Sequence, residues 1–162
     1  MEVRHIITAV VENKSGVLAH IAGLFSSRGY NIDSLAVGET DNPNLSRMTI
    51  VTHGDDAIIE QIRKQLEKVI DIIKVQDLTD EAHVERDLVL IKVNAPSGKR
   101  GEIIEVVDIF RGKIVDVGAT ELVVEVSGTE DKVEAIMDLL RPYGIKEIVR
   151  SGSIALPRGK KK

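Results

Sequence analysis

The sequence predicts an α+β protein built from two α/β sandwiches, each running β-α-β-β-α-β. Three observations carry this. Runs rich in Val and Ile alternate with stretches whose apolar residues recur at helical spacing. The same order of elements occurs twice within 162 residues. Aromatic residues are scarce, two Tyr and two Phe with no Trp. The cores must therefore be built from Ile, Val and Leu, and β-branched residues fit pleated, half-buried surfaces.

In the first half, residues 3–12 (VRHIITAVVE) form an apolar run that reads as a buried strand. Asn13-Lys14-Ser15-Gly16 is a turn and helix-start signal. Val17, Leu18, Ile21, Leu24 and Phe25 follow at helical spacing, and Gly29 suits a left-handed position behind the helix. Tyr30 to Gly38 is the next strand, Thr40 to Asn44 a turn, and Leu45 to Val51 a third strand. Gly54-Asp55-Asp56 opens a second helix with Ile58, Ile59, Ile62, Leu66 and Val69 on one face, and residues 70–76 close the unit as a strand. Residues 77–87 are polar and acidic, as in a linker or a short helical turn. The plan then repeats: a strand over 88–95, a helix ended by Gly112, strands over 113–118 and 121–127, a helix stopped by Pro142-Tyr143-Gly144, and a strand over 145–150.

Two such units suggest ferredoxin-like domains, each a four-stranded antiparallel sheet with two helices on one face. The first and third strands are expected at the centre and the second and fourth at the edges. The expected boundaries are residues 1–77, a linker over 78–87, and 88–162. The edge strand Ile32 to Gly38 carries neither Lys nor Pro, and only Asp33 guards it. It is expected to pair with a second copy across a twofold axis; cover by a loop or by the second domain is the alternative.

Composition excludes several classes. With 43% hydrophobic and 30% charged residues, the chain is globular rather than disordered. No cysteine means no thiolate nucleophile and no Cys-based zinc site; it fits a reducing compartment, and a cytoplasmic location is expected. A net charge of −4 and few aromatics argue against nucleic acid as a partner. No apolar window approaches the ~18 to 20 residues of a membrane helix, so no membrane role is expected. The sequons at Asn13 and Asn44 are read as chance, and Arg158 to Lys162 as a solvated basic tail.

Catalytic patterns are absent from the sequence. His5, His20, His53 and His83 show no metal-ligand spacing. Asp80-Glu81-Ala82-His83 spells a helicase-like tetrapeptide without a P-loop to accompany it, and Ser97-Gly98-Lys99-Arg100 lacks the rest of such a loop. The informative place is the first strand-to-helix turn. Asn13, Lys14, Ser15, Gly16, Val17 and Leu18 lie where helix amides have no internal partners and the macrodipole is positive. Such an end accepts a carboxylate. Asn31 and Asp33 begin the edge strand; Asp33 could take an ammonium group, and Ile32 or Val17 could give apolar contact. Together they match a small zwitterion, an amino acid. A plainer reading, which composition alone favours, is that Asn13 or Ser15 caps the helix and Gly16 makes a tight turn.

The run Glu12-Asn13-Lys14-Ser15-Gly16-Val17-Leu18, followed by Gly23-Leu24-Phe25-Ser26-Ser27-Arg28-Gly29-Tyr30-Asn31-Ile32-Asp33-Ser34-Leu35, resembles the ACT domain of the regulatory (small) subunits of acetohydroxyacid synthase, also called acetolactate synthase. Leu45 to Val51 looks like the third strand of that domain. Ala82 to Leu88, Phe110 to Val117 and Arg150-Ser151-Gly152 look like the family's linker and second domain. The resemblance implies a chain that is not itself an enzyme. It would bind and activate a catalytic large subunit that uses thiamine diphosphate, magnesium and flavin (FAD), with no cofactor of its own. It would confer feedback inhibition by valine in branched-chain amino acid biosynthesis. It also implies a homodimer through ACT domains. The effector would lie between Asn13, Gly16, Val17 and Leu18 of one chain and Asn31 and Ile32 of the other, with Ser15 and Asp33 alongside. The alternatives are an assembly module that needs no amino acid, or an ACT-type sensor for another target.

Overall fold

A computed structural model describes residues 2–161. Two compact units emerge: the chain up to Val84 together with the segment from Ser153 on, and Glu85–Gly152.

The first unit begins with β1 (Val3–Glu12), α1 (Val17–Ser26), β2 (Ser34–Glu39), β3 (Leu45–Gly54), α2 (Asp56–Glu67) and β4 (Ile72–Asp77). Its antiparallel sheet has the order β2-β3-β1-β4, so β1 and β3 are central, as the sequence suggested. The register runs from Val3 opposite Gly54 to Glu12 opposite Leu45, and from Ser34 opposite Val51 to Glu39 opposite Ser46. Side chains alternate across a strand. Ile7, Ala9 and Val11 therefore share the face on which Ile21 and Phe25 of α1 and Ile59, Ile62 and Leu66 of α2 are buried. Ile62 is wholly buried, and removing such a side chain from water contributes about 1.5–3 kcal/mol. Ile6 and Val51 project the other way and join Leu78 and Ala155 in a small second cluster.

The helices start differently. Asp55 caps α2, its Oδ1 accepting the Ala57 N–H at 2.8 Å. No side chain caps α1. Behind α1, Gly29 has φ 72°, and Tyr30 donates its N–H to the Phe25 carbonyl at 3.1 Å. The edge of the Tyr30 ring then lies against Gly54, where an added Cβ would meet it at 1.9 Å.

The second unit is formed by β5 (His83–Asn94, entering from the first unit), α3 (Arg100–Ile109), β6 (Lys113–Val117), β7 (Glu121–Gly128), α4 (Glu130–Leu140), a short 3-10 turn (Arg141–Tyr143) and β8 (Ile145–Arg150). Its strands run β6-β7-β5-β8. The core is again aliphatic, with Val89, Ile91, Ile103, Val124 and Ile136 wholly buried. Asp87 is buried beneath Arg150, whose Nε and Nη2 both donate to Asp87 Oδ2 at 3.0 and 2.8 Å. Helix α3 ends just before Gly112, as expected. Arg111, not Gly112, takes the left-handed conformation, with φ 56°. Gly112 is needed for space: an added Cβ would come within 2.9 Å of the Glu125 carbonyl.

Two boundaries differ from those read off the sequence. The segment 78–87, expected as a linker, already enters β5 at His83, because its alternation of buried and exposed residues begins there. The segment 153–161, expected in the second domain, groups with the first unit by its contacts. It holds β9 (Ile154–Pro157), which was not read as a strand. Arg158 donates its N–H to the Ala82 carbonyl at 2.8 Å, and Ala155 is buried. A four-residue strand carries too little periodicity to announce itself.

Candidate functional site

The chain leaves β1 at Glu12 and turns into α1 through four residues. Gly16 makes the turn with φ 88° and ψ −18°, a left-handed geometry that L side chains rarely adopt. A Cβ placed there would meet nothing within 4 Å, so the need for glycine is conformational and the space above it is open. The first helical hydrogen bond runs from the His20 N–H to the Gly16 carbonyl at 3.0 Å. The amides of Val17, Leu18 and Ala19 thus precede the ladder. Because neither Asn13 nor Ser15 caps them, and no acidic side chain stands in the first turn, the plainer cap reading of this turn is not what the structure contains.

Asn13 is held against the β2–β3 hairpin instead. Its N–H donates to the Asn44 carbonyl at 2.8 Å. Its Nδ2 donates to the Pro43 carbonyl at 3.0 Å and to Glu39 Oε1 at 3.1 Å. Lys14 turns the other way and bridges Glu12 (2.8 Å) and Asp71 (2.7 Å). Asp71 and then Glu12 raise the lysine ammonium above its ordinary range, and Lys14 in turn lowers the Asp71 carboxyl. Its charge is thus committed to fastening the turn. Val17 is buried in the core, so it offers a ligand its amide and not its side chain, whereas Leu18 is exposed.

Asn31, Ile32 and Asp33 precede the edge strand, which starts at Ser34 rather than Ile32. The Asn31 carbonyl accepts from Thr52 Oγ1 at 2.6 Å. Asp33 is already engaged: Asn31 Nδ2 lies 3.3 Å from Oδ1 and His53 Nδ1 lies 2.5 Å from Oδ2. Ile32 packs on the core. Asn31 and Asp33 line an open hollow of about 540 Å³ with Arg28, Tyr30, His53 and Ile58.

The sheet register separates the eight predicted residues into two groups. Asn13, Ser15, Gly16, Val17 and Leu18 lie at the end of β2 marked by Glu39; Asn31, Ile32 and Asp33 lie at the end marked by Ser34. Those ends are roughly 17 Å apart, at about 3.3 Å per residue. One chain does not bring the groups together. Sequence reasoning missed Glu39, the Pro43 carbonyl and His53, which touch site residues 20 to 30 positions away. A pairing of residues 3–12 with 45–54 would have found them. Among the described residues no cluster of three or more His, Asp or Glu could hold a metal ion, and no helix is long and apolar enough to cross a membrane.

Two βαββαβ units, the first with an uncapped helix start beside the edge strand β2, define an ACT-type protein. Residues 7–74 match the family described as the AHAS small subunit-like ACT domain, and residues 86–159 match the small subunit of acetolactate synthase. A protein of Archaeoglobus fulgidus named as a probable acetolactate synthase small subunit is 57% identical over 98% of this chain and 99% of its own. The acetolactate synthase isozyme 3 small subunit of Salmonella typhimurium is 48% identical, with 98% of each chain covered. The crystal structure of the acetolactate synthase small subunit from Thermotoga maritima superposes with a TM-score of 0.87 at 41% identity, over 98% of this chain and 99% of that one. The chain belongs to the family of acetolactate synthase small subunits.

Proposed function

We propose that the chain is a non-catalytic regulator: it binds and activates a catalytic large subunit and makes it sensitive to L-valine. The observation that carries this reading is the split site on the edge strand. If β2 pairs antiparallel with β2 of a second copy about a twofold axis, Ser34 of one copy lies beside Glu39 of the other. Asn31, Ile32 and Asp33 of each chain then reach Asn13 and the helix start of its partner. Two complete sites form only in the dimer. Strand β2 is suited to this pairing, being an edge with Val37 and Gly38 exposed and no Lys or Pro.

In this arrangement the carboxylate of valine meets the amides of Gly16, Val17 and Leu18, and the positive helix end assists. Its ammonium meets amide and carboxylate oxygens. Its isopropyl group lies against exposed Leu18 and half-buried Ile32. A ligand that bridges two chains favours one arrangement of the dimer over another. It inhibits only through its difference in affinity for the two, commonly ~1 to 3 kcal/mol. An apolar pocket discriminates one methylene by roughly 1 to 3 kcal/mol, so isoleucine and leucine bind more weakly than valine. Thiamine diphosphate, magnesium and FAD belong to the catalytic partner in this reading, and the setting is cytoplasmic.

The test is reconstitution. Adding the purified chain to an acetolactate synthase catalytic subunit raises acetolactate formation, and L-valine then lowers it while D-valine does not. Calorimetric titration of the chain alone gives close to one L-valine per chain. No stimulation of the catalytic subunit overturns the regulatory reading; stimulation indifferent to valine leaves the assembly module as the correct one.

A further inference from the structure

The side-chain amide of Asn13 has a donor end and an acceptor end, and its surroundings choose between them. Its NH2 group has two protons. One goes to the Pro43 carbonyl at 3.0 Å and one to Glu39 Oε1 at 3.1 Å. Both are spent within the chain, and the polar atom left over is Oδ1, which only accepts. The hairpin that imposes this is itself well tied. Thr40 donates its N–H to the Leu45 carbonyl and Leu45 donates its own to the Asn42 carbonyl, both at 2.9 Å. Thr40 Oγ1 donates to the Asn42 carbonyl at 2.9 Å. Asn42 Oδ1 accepts the Asn44 N–H at 3.0 Å.

We propose that Glu39 is a positioning residue of the effector site: it holds the Asn13 amide with its oxygen outward. Asn13 then receives the ammonium group of an amino acid, and the helix-start amides receive its carboxylate. This rests on the reading above that the site takes an amino acid. It names the oxygen that takes the ammonium, which that reading leaves open. The bond from Asn13 to Glu39 is charge-assisted and stronger than a neutral one. Without it, the amide is free to turn its NH2 toward the ligand. Two donors then face an ammonium group, and binding weakens.

The experiment uses the full-length chain, labelled with 15N, with Glu39→Ala, Glu39→Gln and Asn13→Ala variants. Gln keeps an acceptor at position 39 and Ala removes it. The side-chain NH2 signals of Asn13 are identified by their loss in Asn13→Ala. In the unaltered chain they are split and protected from exchange; in Glu39→Gln they stay so; in Glu39→Ala they move to the positions of a solvated amide. In parallel, calorimetry gives an L-valine affinity about tenfold lower for Glu39→Ala and within about threefold of the original for Glu39→Gln. Asn13 signals unmoved in Glu39→Ala overturn the proposal, as do equal valine affinities for the unaltered chain and Glu39→Ala. Equal weakening by Gln and Ala also overturns it, since it would assign the effect to charge alone. If the unaltered chain takes no valine, the amino-acid reading fails by itself, and the Asn13 signals still decide whether Glu39 sets the amide.

Discussion

Substitution of Gly16 separates conformational strain from occupied space, because the structure gives the two effects opposite orders. At φ 88° an alanine is strained, yet its Cβ meets nothing within 4 Å. The whole cost is therefore backbone conformation, about 1–2 kcal/mol for an L residue in the left-handed region. A stiffer unfolded chain returns part of this, leaving about 1 kcal/mol. For a unit of this size that lowers the thermal midpoint by roughly 4–8 °C. Asparagine tolerates the left-handed region better, so Gly16→Asn loses about half as much. The stability order is thus Gly, Asn, Ala. The order for valine affinity is Gly, Ala, Asn if the ligand lies over this backbone, because the larger side chain stands further into its path. Scanning calorimetry gives the first order and titration calorimetry the second. Affinities that follow the stability order would refute the reasoning, since a loosened turn and not a blocked approach would then explain the loss. An unchanged midpoint in Gly16→Ala would refute the left-handed geometry itself.

Val37→Lys places an ammonium on the exposed edge of β2; sedimentation is expected to show the proposed dimer giving way to a monomer, with the proposed valine binding lost although the helix start is untouched. In the second unit, Asp87→Ala removes a buried partner of Arg150 and of Ser151 Oγ. Arg150 reaches water, so the loss is about 2 kcal/mol rather than the 3–5 of a fully enclosed pair, read as faster amide exchange in β5 and β8. The Lys14 cluster sets a pH window. Asp71 is lowered, so its contribution is present above its ordinary value of 3.8 and is lost as pH falls through the lower folded value. Lys14 is raised, so its contribution is present below 10.5 and is lost as pH rises through the higher folded value. Amide exchange around residues 13–16, corrected for intrinsic rates, should therefore be flat from about pH 5 to 9; a midpoint near neutrality would assign the fastening of this turn to another group.

The order of elements was legible because hydrophobic periodicity is local: Val17, Ile21 and Phe25, or Ile59, Ile62 and Leu66, mark one helix face without any tertiary information. The helix start and its glycine were legible for the same reason. What was not legible depends on pairing between distant segments. Asp33 looked free for an ammonium, and only the register that sets β2 beside β3 puts His53 against it. Val17 looked available as an apolar contact, and only its burial in the core cluster removes it. Gly112 was legible as a helix stop, but not that the Glu125 carbonyl of β7 and the Val107 side chain of α3 leave no room there for a Cβ.

The return of residues 153–161 to the first unit has a consequence for how the chain matures. Ser151 donates its N–H to the Leu88 carbonyl at 2.9 Å, so the second unit closes on itself where it leaves and re-enters. It is an insertion within the first. During synthesis the usual order, N-terminal part first, is thereby reversed at the last step. The second unit holds all its residues once Gly152 has emerged, while the first still waits for Ala155 to cover Ile6, Val51 and Leu78. The half of the chain that would sense the effector is the half that is finished last.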